Sequence, residues 1–239
     1  VELLKIHNAD QVAVLKFNEK FAAMSPEDFV ASVLVAQLHA STVIVGKNFT
    51  YGHKAAGNID SLVKSGQAHN FTVDVQELRA DTEVISSSRI RSLVIEGKVE
   101  EARSLLSRPH RLDGVVVHGE KRGREIGYPT ANLGKIEGQT IPADGVYAGW
   151  LTVGINRWPS AISIGTNPTF PGIRGRQVEA YALDQIGLEL YDKIATVEFT
   201  ERLRDTLKFD SLDSLLIQMK ADCDRAAELT GFTRINLDQ

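Results

Sequence analysis

Twelve of the 19 glycines in this 239-residue chain fall between Gly114 and Gly175. Glycine tolerates left-handed backbone and close approach but weakens helices, so such a stretch is cut by turns into short extended segments. The segments between the turns are apolar and alternating, at residues 112–118, 146–153, 161–164, 177–183 and 194–199. Many short strands with few helices predict an antiparallel barrel or sandwich. One helix follows, over residues 211–230. Its apolar stripe is Leu212, Leu215, Leu216, Met219, Cys223 and Ala226, and Gly231 can end it. The stripe, Cys223 included, reads as core packing, and Trp150 and Trp158 read as barrel packing.

The part before this stretch has a different rhythm. Residues 12–17 read as a short apolar strand. Ser25 then suits a helix cap, Pro26 the first helical position and Asp28 the capping partner. Phe29, Val30, Val33, Leu34 and Leu38 continue at helical spacing. Residues 42–46 and 71–75 read as further strands, so the order strand, helix, strand predicts a parallel, doubly wound α/β sheet. Two helices, at 88–96 and 98–106, close this part, and Pro109 marks a linker. The expected domains are therefore residues 1–108 and 109–239.

Composition excludes several classes. The net charge of −4 and pI near 5.9 argue against a general nucleic-acid binder, which needs a basic surface. No apolar run approaches the ~20 residues of a membrane span, and no signal peptide is visible. The single cysteine rules out an intrachain disulfide and a cysteine-based zinc cage. These features point to the cytoplasm; self-association is not legible.

The most informative segment runs from Gly119 to Asn132, with the sequence GEKRGREIGYPTAN. Glycines let backbone N–H groups approach an anion, and Lys121, Arg122 and Arg124 add positive charge. Thr130 and Asn132 are neutral oxygen donors two residues apart, which share a face on an extended segment. Mg²⁺ favours few protein oxygens together with nucleotide phosphates. The segment is neither a Walker A loop nor a dinucleotide fingerprint. From spacing alone, a glycine-rich hairpin with solvated charges is the favoured reading.

A resemblance decides between the two. Gly127-Tyr128-Pro129-Thr130-Ala131-Asn132 resembles the G-[FY]-P-T-A-N signature of riboflavin kinases. Residues 142–149 (PADGVYAG), 164–170 (IGTNPTF) and 178–181 (VEAY) are similar to later segments of that family, and Phe199, Arg204 and Phe209 to its tail. In the first part, residues 46–52 (GKNFTYG) and 85–91 (ISSSRIR) resemble motifs of bacterial FAD synthetases. The two occur fused in a bifunctional riboflavin kinase/FMN adenylyltransferase family, and order and spacing here match. That family opens with a strand, a G-x-F-D-G-x-H turn and an H-x-G-H-type motif, none of which occurs in this sequence. The chain is thus expected to lack the front of the adenylyltransferase domain, which puts FAD synthesis in doubt.

The resemblance implies a truncated Rossmann-like nucleotidyltransferase domain followed by a small antiparallel β-barrel with a C-terminal helix. It implies transfer of the ATP γ-phosphate to the riboflavin 5′-hydroxyl, giving FMN, with Mg²⁺ as cofactor. Glu179 is the implied general base, and Thr130 and Asn132 the metal and nucleotide pair. Gly119, Lys121, Gly123, Arg124, Gly127 and Pro129 are the implied ATP-binding surroundings. Asn167, Thr169 and Arg204 are implied on the flavin side, although Arg204 equally suits holding the loop before the last helix. Ser86, Ser87, Ser88 and Arg91, with Asn48 and Phe49, are the implied remnant of the adenylyltransferase site. A non-catalytic flavin- or nucleotide-binding module is the alternative from another class; it has no use for a carboxylate base beside the Thr130 and Asn132 pair.

Overall fold

The computed structural model describes residues 2–77, 85–119, 123, 126–166 and 176–234. The chain divides into two compact units, Val1–Val84 and Ile85–Gln239.

In the first unit, α1 (Glu2–Ile6) and α2 (Glu19–Ala22) precede α3 (Pro26–Phe29), which runs on as a π-helical segment, Val30–Gln37. Ser25 caps α3 as its sequence predicts, its Oγ accepting the Asp28 N–H at 3.0 Å. Next come β1 (Thr42–Gly46), α4 (Ile59–His69) and β2 (Thr72–Gln76). β1 and β2 pair in parallel from Thr42↔Thr72 to Gly46↔Gln76, as the parallel-sheet reading expects, but the helix that connects them, α4, is not among those the sequence pattern picks out. α4 starts on a reciprocal capping box. Asn58 accepts from the Ser61 N–H at 3.0 Å, and Ser61 Oγ accepts from the Asn58 N–H at 2.9 Å. Val30, Leu34, Tyr51, Leu62 and Phe71 form the core.

The strand expected at residues 12–17 is not formed. The segment is irregular, with Val14 76% and Phe17 77% exposed. An apolar run becomes a strand only when another strand satisfies its backbone, and among the described residues none pairs with it. Phe17 instead meets Phe21 of α2 edge-on, at 5.5 Å between ring centroids.

The second unit begins with α5 (Ser87–Ile95) and α6 (Val99–Leu106). Six strands then close an antiparallel barrel: β3 (His110–Val117), β4 (Ala131–Leu133), β5 (Gly145–Val153), β6 (Asn156–Thr166), β7 (Arg176–Ala182) and β8 (Ile194–Arg204). Around the barrel the order is β3-β4-β7-β6-β5-β8. Alternate residues point inward. Leu112, Val116, Tyr147, Leu151, Ile162, Ile164, Val178, Val197 and Phe199 fill the interior, with Val99 of α6 packed among them. Tyr147 and Phe199 meet edge-to-face at 5.4 Å, an arrangement worth about 0.5–1.5 kcal/mol beyond burial.

The register between β5 and β8 shifts twice. At the second shift Gly149 lies so close to β8 that a Cβ would stand 1.9 Å from the Glu198 carbonyl oxygen, so only glycine fits. Beside this irregularity the Glu100 carboxylate of α6 accepts the Arg202 N–H at 2.6 Å.

The last helix, α7 (Leu212–Thr230), is capped by Ser211 and ended by Gly231 at φ 68°. It lies on the outer face of the barrel, where Ala148, Tyr181 and Leu183 meet Cys223, Ala226 and Ala227. Ala148 and Ala161 are cross-strand neighbours, and Ala161 pairs in turn with Tyr181. Two alanines side by side let the helix approach closely there. Its first turns run past this contact, which leaves Leu212 54% exposed and opens a space beneath Leu215 and Met219.

Candidate active site

The glycine-rich segment reaches the barrel through a tight turn. The Gly123 carbonyl accepts the Tyr128 N–H at 2.7 Å, and Gly127 sits at φ 87°, a left-handed conformation that glycine takes at little cost. Pro129 and Thr130 then lead into β4, whose Ala131, Asn132 and Leu133 pair with Ala180, Glu179 and Val178 of β7. Val178 and Ala180 are buried in the barrel core. Glu179 therefore points outward, directly opposite Asn132.

Thr130, Asn132 and Glu179 form one hydrogen-bonded group. Thr130 Oγ1 donates to Glu179 Oε2 at 3.2 Å, and Asn132 Nδ2 donates to Thr130 Oγ1 at 3.2 Å and to the Thr130 carbonyl at 3.4 Å. Residues 49 positions apart in sequence thus meet across one strand pair. Gly119 passes immediately over the group, where a Cβ would stand 2.6 Å from Asn132 Nδ2. Among the described residues no group of three or more His, Cys, Asp or Glu could hold a metal.

Two cavities share Thr130 as a wall. One, of about 350 Å³, lies between the outer barrel face and α7; it is lined by Glu179, Ser163, Val146, Tyr128, Phe209 and Met219 among others. The other, of about 420 Å³, contains Gly127, Pro129 and Ala131 on one side and residues 185–191 on the other. Glu179 faces only the first of the two.

The first cavity is apolar and aromatic apart from a few groups. Arg204, at the end of β8, is held by Asp222 of α7, with its Nη2 2.7 Å from Oδ2 and its Nε 3.0 Å from Oδ1. Gln218 donates to the same carboxylate at 2.9 Å, and Arg204 Nη1 donates to the Asp205 carbonyl at 2.9 Å. Asp222 is only 6% exposed, so the pair is largely desolvated. Arg204 also stands over the Phe209 ring at 5.8 Å. Tyr128 and Tyr181 meet edge-on at 5.1 Å, and burial raises both phenol pKa values, so both rings are neutral at pH 7. Burial pushes the Cys223 thiol up to about 12. It is a thiol on the cavity wall, not a thiolate nucleophile.

The sequence-derived candidates divide as follows. The structure brings together Glu179, Thr130, Asn132 and Gly119, with Gly123, Gly127, Pro129 and Arg204 on the surrounding walls. Lys121, Arg124, Asn167 and Thr169 lie outside the described residues. Asn48 and Phe49 belong to the first unit, where Phe49 stacks on Tyr51 at 5.6 Å. Ser86 caps α5 in the second unit, accepting the Arg89 N–H at 3.2 Å. Arg91 donates to Ser88 at 3.2 Å, and Ser87, Ser88 and Arg91 are exposed. Met219 and Leu215, read from sequence as core stripe, line the cavity instead. Val146, Ser163 and Leu207 were not singled out by sequence; alternation marks the outward residues of a strand, but only the register between strands shows which of them share a wall. Trp158 packs against the barrel core and Trp150 lies beneath the Arg157 guanidinium at 4.1 Å, away from this site.

The chain matches known proteins along most of its length. The riboflavin kinase family model matches residues 106–230, and the FAD synthetase model matches residues 1–89. A bifunctional riboflavin kinase/FMN adenylyltransferase from Listeria monocytogenes is 37% identical over 213 residues, covering 89% of this chain and 67% of the relative. The protein of that name from Escherichia coli K12 is 34% identical over 227 residues, covering 94% and 72%. A solved structure from Streptococcus pneumoniae, described as a macrolide-efflux protein, aligns with a TM-score of 0.80 and 31% identity, over 94% of this chain and 72% of its own. The efflux description is that protein's own; among the described residues of this chain no helix is long and apolar enough to cross a membrane.

Proposed function

The chain belongs to the bifunctional riboflavin kinase/FMN adenylyltransferase family, and from that premise we propose that the outer barrel face around Glu179 is where riboflavin receives the γ-phosphate of ATP. The observation that carries the reading is the Thr130, Asn132 and Glu179 group standing where two cavities meet. The cavity under α7 suits the flavin, because its apolar and aromatic walls match a planar ring and it contains Glu179. The cavity beside Gly127 and Pro129 suits the nucleotide, because the glycine-rich segment borders it. A reacting hydroxyl and a terminal phosphate would then meet at Thr130.

The step is a direct in-line displacement. The riboflavin 5′-oxygen forms a bond to the γ-phosphorus as the bond from that phosphorus to the β,γ-bridging oxygen breaks, and ADP leaves. Glu179 orients the hydroxyl and accepts its proton. Thr130 steadies the carboxylate through its hydrogen bond. The rate gain comes chiefly from holding the two substrates in line and from fixed dipoles around the transferring group. Thr130 and Asn132 are a fitting donor set for Mg²⁺, which takes few neutral protein oxygens when phosphates supply the rest. When bound with ATP, Mg²⁺ supplies neutralising charge to the phosphate oxygens. Gly119, Lys121, Gly123 and Arg124 are assigned to the phosphate side, and Asn167, Thr169 and Arg204 to the flavin side.

Residues 109–239 are assigned to the kinase and residues 1–108 to the adenylyltransferase part, although α6 packs against the barrel and α5 against α6. Ser86, Ser87, Ser88 and Arg91 at the start of α5 suit phosphates, and Asn48 and Phe49 suit a flavin. The reaction is assigned to the cytoplasm. Incubation of the protein with riboflavin, ATP and Mg²⁺, followed by chromatography, tests the kinase reading. FMN is expected, and its absence from folded, metal-replete protein would favour a module that only binds flavin.

A further inference from the structure

The strand register lays five side chains in one line across the outside of the barrel. Asn132 of β4 is opposite Glu179 of β7, Glu179 is opposite Ser163 of β6, Ser163 is opposite Val146 of β5, and Val146 is opposite Arg204 of β8. Residues directly opposed across a strand pair share a face. The flanking residues Val178, Ala180, Ile162, Ile164 and Tyr147 all belong to the buried core, so the line faces outward. From Glu179 to Arg204 every member borders the cavity under α7. Neighbouring members are one strand spacing apart, about 4.8 Å.

Along this line the chemistry changes in a set order. Where it borders the cavity it starts with the carboxylate, passes a hydroxyl and a small apolar side chain, and ends at the Arg204 guanidinium with Phe209 beneath it. Ser163 is exposed on the cavity wall, and its hydroxyl has no hydrogen-bond partner among the described residues. A strand serine with no structural bond, one spacing from the base, is a donor and acceptor left for a ligand.

Given the proposed kinase reading, on which this inference rests, we infer that Ser163 is a substrate-specificity residue that holds the secondary hydroxyls of the ribityl chain. Riboflavin joins its ring to the reacting 5′-oxygen through a five-carbon polyol, which spans roughly one to two strand spacings of ~4.8 Å. With the 5′-hydroxyl on Glu179, the chain runs across Ser163 toward Val146, and the ring reaches the wider apolar space at Phe209, Leu207 and Met219. The Ser163 hydroxyl therefore meets the chain hydroxyls adjacent to the reacting end. It favours a polyol over an aliphatic tether of equal length, because desolvating Ser163 against methylenes leaves its hydroxyl unpaired.

The test compares riboflavin with 7,8-dimethyl-10-(5-hydroxypentyl)isoalloxazine, which keeps the reacting hydroxyl and lacks the three secondary ones. Dissociation constants for both flavins are read by fluorescence quenching, with and without ADP, and kcat/KM for both by chromatography. The wild type is expected to prefer riboflavin, and Ser163→Ala to reduce that preference by about three- to tenfold, the range of one neutral hydrogen bond. Ser163→Thr keeps the hydroxyl and is expected to keep the preference. KM for ATP should be the same in all three. An alanine variant that discriminates between the flavins as well as the wild type overturns the inference. Quenching does not depend on turnover, so a protein that binds with this selectivity but makes no FMN would refute the kinase reading while leaving the assignment of Ser163 standing.

Discussion

Replacing Glu179 by glutamine separates its two roles. The carboxylate accepts a hydrogen bond from Thr130 at 3.2 Å and stands opposite Asn132 across the β4 and β7 pair. A glutamine carbonyl oxygen can accept the same bond, and the amide has nearly the same volume, so the wall of the cavity is retained. What disappears is the capacity to take a proton from the 5′-hydroxyl as the bond to phosphorus forms. General-base catalysis contributes about 10²- to 10⁴-fold, which corresponds to about 2.7–5.4 kcal/mol of barrier. Glu179→Gln is therefore expected to lower kcat for FMN formation by that factor. Dissociation constants for MgADP and riboflavin should stay close to wild type, because neither ground-state complex uses the proton transfer. Glu179→Ala should lose more, since Thr130 then keeps no carboxylate partner in this group. The measurement is FMN produced under saturating riboflavin and ATP, beside MgADP binding by calorimetry. A glutamine variant with kcat within about threefold of wild type, well below the 10²-fold floor for a lost base, would refute the assignment.

Three further outcomes follow from the same geometry. Thr130→Ala and Asn132→Ala should each weaken MgADP binding and lower kcat while riboflavin binding measured by quenching suffers less; normal MgADP binding in both would remove them from the nucleotide side. Asp222→Ala leaves the Arg204 guanidinium without its buried partner, so the variant should lose about 3–5 kcal/mol in urea unfolding and should bind riboflavin more weakly; unchanged stability would show that the pair is not holding α7 to β8. Burial lowers the His110 pKa, outweighing its bond to the Thr140 carbonyl, so its neutral form is the one the fold favours. Its contribution is fully present above the unfolded value of about 6.5 and is lost as pH falls through that value toward the lower folded one; His110→Gln should flatten the stability profile in that window, and an unaltered profile would exclude the effect.

What could be read from the sequence depended on how local the determining interaction is. The helix start at Ser25 is legible because its capping hydroxyl meets a backbone N–H only three residues away; the helix expected from residue 88 instead starts at Ser87, capped by Ser86. Five of the six barrel strands are legible as alternating segments, though not their ends; β4 is not, because three residues are too few to show a period. β6 begins at Asn156, well before residue 161, and runs through Pro159, a residue with no N–H to give to a ladder. Its carbonyl nevertheless accepts the Leu183 N–H at 2.8 Å. The apolar run at residues 12–17 misled for the opposite reason: composition marks a segment that can be a strand, whereas pairing decides whether it is one.

The site itself shows the same division. Thr130 and Asn132 share a face through simple period-two geometry, which any extended segment imposes. Glu179 carries no such local signal, since an outward strand glutamate usually meets water; only the family resemblance marked it. What turns it toward Thr130 is the closing of β4 onto β7, an interaction between segments 49 residues apart. Met219 and Leu215 were read as core because an apolar helix stripe looks alike whether it covers a packed face or roofs a cavity. The difference lies in the partner: beneath Cys223 and Ala226 the barrel offers the close-packed face of Ala148 and Tyr181, whereas beneath Met219 the opposing row is Arg204, Val146, Ser163 and Glu179. One helix thus does two things along its length, and the step between them is two residues along each strand, from the alanines that seat α7 to the polar line that it leaves uncovered.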